Sequence, residues 1–84
     1  MAHDTDFKGS ITDAIHDAIS QALPGAVVSV DGGGGHFTID VVSQQFEGKS
    51  MVAKQRLVYR AIAPLMAGDR APVHAVDKLT TRLP

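Results

Sequence analysis

Between Phe7 and Leu23 the apolar residues Phe7, Ile11, Ala14, Ile15, Ala18, Ile19, Ala22 and Leu23 recur at three- and four-residue spacing. That is the period of an α-helix with one buried face. Thr5 or Asp6 can cap its start, and Pro24-Gly25 ends it. His16 lies about 120° off the apolar stripe at roughly 100° per residue. The pattern then shortens. Residues 26–30 are β-branched and short, a strand; Asp31 and the glycines Gly32 to Gly35 make a hairpin connection, and residues 36–43 return as a second strand. Residues 43–49 read as a loop, with Ser50 as the N-cap of a second helix over residues 52–63 that buries Leu57, Val58, Ala61, Ile62 and Met51. Pro64 has no N–H to give and clashes with the preceding turn, so the helix is expected to end or kink near Ala63. Residues 64–72 follow as an irregular return, and residues 73–82 form the last strand.

The order is α-β-β-α-β, which predicts a single small α/β domain: a three-stranded mixed sheet with helices packed on it. Strands joined by a short loop pair antiparallel. Strands joined through a helix pair parallel if they are neighbours in one sheet. The first five residues are expected to be a disordered tail and residues 6–84 the domain. Phe37, Ile39 and Val41 make one apolar face of strand two, with His36, Thr38 and Asp40 on the other. Strand three alternates less cleanly, since Val73, Ala75 and Leu79 share a parity that Val76 breaks. A bulge near Asp77 would reconcile them.

The chain's 84 residues suffice for one domain with a small core. It contains no cysteine, so neither disulfides nor thiolate metal ligands are available. No apolar run approaches the roughly 20 residues that span a bilayer, and the polar, acidic start is unlike a secretion signal. These features suggest a cytoplasmic protein. Net charge is −1, but residues 1–47 balance at −6 and residues 48–84 at +5, which predicts one acidic and one basic surface.

Two histidines stand out chemically. His36 follows four glycines and opens strand two, and His74 opens strand three. If those strands are parallel neighbours, both imidazoles start at one edge of the sheet, where two neutral rings can share a metal or cluster. Either could equally be an ordinary hydrogen-bonded or solvated side chain. The glycine run leads into a strand, not a helix, so it lacks the helix N-terminus of a phosphate cradle. It reads instead as a flexible tip. Lys49, Arg56 and Arg60 share roughly one flank of helix two and could meet a nucleic-acid backbone, although charge near zero and few aromatics weaken that reading. Catalysis is not expected: no serine–histidine–acid grouping is apparent and the carboxylates are scattered.

Taken in order, Gly34-Gly35-His36-Phe37, Val41-Val42-Ser43-Gln44-Gln45-Phe46-Glu47-Gly48-Lys49-Ser50, Arg56-Leu57-Val58-Tyr59 and His74-Ala75-Val76 resemble the BolA family over about residues 11–84. The resemblance implies a BolA-like fold related to one class of KH domain. It also implies a heterodimer with a monothiol glutaredoxin that shares a [2Fe–2S] cluster. The glutaredoxin side would supply its cysteine and a glutathione thiol; this chain would supply the C-terminal histidine, matched by His74, and a loop histidine, matched by His36. Histidine is neutral where thiolate is charged, so such ligation raises a cluster's reduction potential. Some members have been described as transcriptional regulators, which keeps nucleic acid as the alternative partner. The sequence departs from the family pattern in three places: Pro64 inside a helix, the irregular Val76-Asp77-Lys78-Leu79, and Pro84 where many members continue into another helix.

Overall fold

A computed structural model describes residues 10–84 of the chain. Helix α1 (Ile11–Ala22) leads into β1 (Val27–Gly33), β2 (His36–Val42), a short 3₁₀ turn (Gln44–Phe46), helix α2 (Met51–Met66) and β3 (Ala75–Arg82). The sheet order is β1-β2-β3, with β1 antiparallel and β3 parallel to the central β2. The mixed α/β arrangement therefore follows the pattern that the sequence predicts.

Within the described residues α1 begins later than its apolar stripe suggests. Ser10 has an extended backbone and its hydroxyl accepts from the Asp13 amide, so Ser10 is the cap. The expected caps Thr5 and Asp6, the apolar Phe7 and the expected tail over residues 1–5 lie outside the described residues. At the other end Leu23 still donates to the Ile19 carbonyl. Gly25 takes a left-handed φ of 85° that a side chain would resist.

One apolar layer joins these elements. Ile15 and Ile19 from α1 and Leu23 at its C-cap meet Val28, Phe37, Ile39 and Val41 from the sheet, and Val58 and Ile62 from α2. Phe46 at the end of the 3₁₀ turn and Val73 ahead of β3 are buried in the same layer. Each fully buried apolar side chain contributes about 1.5–3 kcal/mol. Met51 does not join them: it is the first residue of α2 and is 62% exposed.

Helix α2 passes through Pro64 and ends at Met66, three residues beyond the expected stop. A proline removes the hydrogen bond its own N–H would make to the carbonyl four residues earlier, that of Arg60, and its ring crowds that carbonyl. Arg60 and Pro64 are both exposed, where water can take that carbonyl. The gain outweighs the loss, because Leu65 and Met66 pack against the core. The Leu65 carbonyl also accepts from the Val73 amide at 3.0 Å.

At the far end of the sheet Arg82 grips Asp40 with two hydrogen bonds, Nε to Oδ1 at 3.2 Å and Nη2 to Oδ2 at 2.7 Å. The Arg82 hydrogen bonds hold the Asp40 carboxyl below its ordinary value of 3.8. A lowered folded-state value stabilises the protein above the ordinary carboxyl pKa, and that contribution fades as pH falls through the folded value. Asp40→Asn should accordingly lower the urea midpoint at neutral pH, and the two midpoints should converge in acid. Midpoints equally separated at about pH 2 would contradict this assignment.

Candidate functional site

The hairpin that presents His36 is tighter than a flexible tip. Strand β1 runs through Asp31 and Gly32 to Gly33, which pairs with His36, so only Gly34 and Gly35 form the turn. Their φ values of 63° and 85° are both left-handed, the signature of a two-residue type I′ hairpin. Gly32 pairs with Phe37 at φ 134°, and a Cβ there would run into the His36 carbonyl and the Phe37 Cα. The glycines thus serve as strand and turn, correcting the expectation of a slack tip.

That turn also holds the start of β3. The buried Gly35 carbonyl accepts from the His74 amide at 2.8 Å and the Ala75 amide at 2.9 Å. Residue 74 therefore precedes the strand: β3 begins at Ala75, opposite His36, and the expected start at Val73 is two residues early. Val73 is drawn into the core instead, with its amide on the end of α2. Both histidine backbones are consequently fastened to the same glycine turn, one through the chain and one through a hydrogen bond.

The topology brings the two rings together. The centroids of His36 and His74 are 6.4 Å apart, with the ring planes at 74°. Both residues are exposed. A third side chain completes the cluster: Asp77 Oδ1 lies 3.1 Å from His36 Nδ1. Asp77 is the extra residue of a bulge in β3, since Phe37 pairs with Val76 and Thr38 with Lys78. The bulge lets Val76 and Leu79, three residues apart, both pack on the core. The broken parity of Val76-Asp77-Lys78-Leu79 signalled this irregularity, but the approach of Asp77 to His36 spans 41 positions and no spacing rule reveals it.

Imidazole nitrogen is a common metal ligand, and two such rings stand side by side here. Among the described residues no group of three or more histidine, cysteine or acidic side chains is arranged to hold a metal ion. The described residues alone therefore do not complete a metal site around the pair. The donor set is exposed nitrogen ligands close together, and no cysteine.

The cationic residues lie elsewhere. Lys49 precedes the N-cap Ser50 of α2, and Arg56 and Arg60 are exposed one helical turn apart on α2. The structure does not give them an aromatic companion from the preceding loop, because Phe46 is fully buried. His16, exposed as its position off the stripe predicts, contacts Asp17 at 3.3 Å. No described helix is long and apolar enough to cross a membrane.

Comparison with known proteins adds a second line of observation. The family model described as BolA-like protein matches residues 5–82. The acid stress protein IbaG of Escherichia coli K12 is 37% identical over 63 residues, covering 75% of this chain and 73% of that protein. BolA-like protein 1 of Pongo abelii is 35% identical over 78 residues, covering 81% of this chain but only 55% of its own length. Among solved structures, a bolA protein homologue from Coxiella burnetii superposes with a TM-score of 0.73 at 34% identity, covering 90% of this chain and 94% of that one.

Proposed function

This chain belongs to the BolA family, and we propose that it is a non-enzymatic adaptor in iron–sulfur cluster trafficking or iron sensing. Its partner in this reading is a cytoplasmic monothiol glutaredoxin, with which it shares a [2Fe–2S] cluster. His74 and His36 supply nitrogen ligands; the partner's cysteine and a glutathione thiol supply the sulfurs. The observation that carries the reading is the pairing of two exposed imidazoles, 6.4 Å apart, on one glycine turn of a chain without cysteine. Such a chain has no means of completing the usual four-cysteine site and needs another protein's sulfur. Bound, the cluster would be cargo with an electron-accepting centre tuned by neutral ligands. The residues of this chain bind it, orient it and make its retention depend on the heterodimer.

Anaerobic reconstitution on a mixture of this protein, a monothiol glutaredoxin and glutathione tests the proposal. The mixture is expected to give a visible absorption and circular dichroism spectrum distinct from that of the glutaredoxin alone. His74→Ala should return the spectrum to that of the glutaredoxin, and His36→Ala should shorten cluster lifetime by about tenfold or more. Unchanged spectra and lifetimes in both variants would overturn the ligand assignment. Size-exclusion of the cluster-free mixture separates loss of ligation from loss of association.

A further inference from the structure

We infer that Asp77 is a positioning residue for His36: it fixes the ring tautomer that leaves Nε2 as the nitrogen able to bind a metal. The metal in question rests on the shared-cluster reading above, but the tautomer does not. A carboxylate accepts hydrogen bonds and does not donate them, so the 3.1 Å contact between Asp77 Oδ1 and His36 Nδ1 requires the hydrogen on Nδ1. A neutral imidazole in water prefers the opposite arrangement, with its hydrogen on Nε2. The carboxylate thus reverses the intrinsic preference and frees the outer nitrogen. Metal-ligating histidines are commonly oriented in this way by a carboxylate on the other ring nitrogen.

The fold builds the contact deliberately. Core packing of both Val76 and Leu79 forces one extra residue into β3 between them, and Asp77 or Lys78 must absorb it. Lys78 keeps its place opposite Thr38, so Asp77 is the unpaired residue and its side chain is released from the strand's alternation. The Asp77 and His36 side chains are 58% and 56% exposed, so no burial restrains the His36 ring. Restraint comes from the hydrogen bond to Asp77 and from the edge of His74.

Long-range ¹H–¹⁵N correlation spectra of the metal-free protein read the tautomer directly. They should be recorded at about pH 8, above the ordinary histidine pKa of about 6.5. Wild type is expected to show His36 protonated at Nδ1 and bare at Nε2; Asp77→Ala should shift the hydrogen to Nε2 while the His16 signals stay in place. In the reconstituted heterodimer the same variant should lose cluster about 10- to 100-fold faster, with the thermal midpoint of the free protein unmoved. A wild-type His36 bare at Nδ1, or a tautomer unaltered by Asp77→Ala, overturns the inference. Failure of wild type to form any shared cluster would count against the shared-cluster reading alone, since the spectra of the metal-free protein decide the role of Asp77 without it.

Discussion

Phe46→Ala is expected to cost about 3–5 kcal/mol of folding stability, the loss of a large buried aromatic together with the cavity it leaves. A domain of this size has roughly 5–10 kcal/mol in total, so the variant should be substantially unfolded well below the wild-type urea midpoint. The expectation is unusual for a residue of this setting. Phe46 sits in a connection between strand and helix, flanked by exposed Gln45, Glu47 and Gly48. Loop aromatics are ordinarily candidates for binding. Here the 3₁₀ turn aims the ring inward: Ser43 caps it through the Gln45 amide, Phe46 donates to the Ser43 carbonyl, and Lys49 donates to the Phe46 carbonyl. The ring is then fully buried among residues of both helices and the sheet. Urea unfolding followed by circular dichroism measures the effect; a loss under about 1 kcal/mol would mean the ring is not part of the core.

Gly32→Ala should be strongly damaging, and Gly33→Ala, one residue on, should be nearly silent. At Gly32 the left-handed φ of 134° alone costs about 1–3 kcal/mol for a residue with a side chain. The added Cβ also meets backbone atoms of His36 and Phe37, which cannot swing aside as a side-chain end would. At Gly33 a Cβ meets nothing within 4 Å and φ is not in the left-handed region. The strain at residue 32 falls on the strand segment that carries His36, so the variant should also scatter the imidazole pair, seen as loss of the single His36 tautomer. Equal effects at the two positions would show that chain flexibility, not the close approach at Gly32, sets the requirement for glycine.

The stripe of Ile15, Ile19 and Leu23 and the alternation of Phe37, Ile39 and Val41 were sufficient to order the elements and infer the mixed sheet, because each is periodic over several turns or pleats. The broken parity at Val76 likewise marks the bulge at Asp77. Boundaries were less legible. Pro64 is locally a breaker, but Leu65 and Met66 gain core contacts that a local rule does not weigh. The four glycines look alike in sequence, yet Gly32 and Gly33 are strand while Gly34 and Gly35 are turn, a division set by pairing with His36 and Phe37. His36 and His74 could be placed at one end of the sheet by topology alone. Their separation, the double hydrogen bond at Gly35 and the Asp77 carboxylate arise from contacts between residues far apart in the chain, which no local pattern encodes.

In the proposed heterodimer this chain gives imidazole nitrogen to a cluster whose sulfur ligands belong to another protein. The most direct measurement is pulsed electron paramagnetic resonance of the reduced cluster on a mixture in which only this chain carries ¹⁵N. Two strongly coupled ¹⁵N nuclei are expected, falling to one in His36→Ala, with the remaining coupling lost when His74 is also replaced. A reduced cluster that forms on the mixture but shows no strong ¹⁵N coupling from this chain would contradict it.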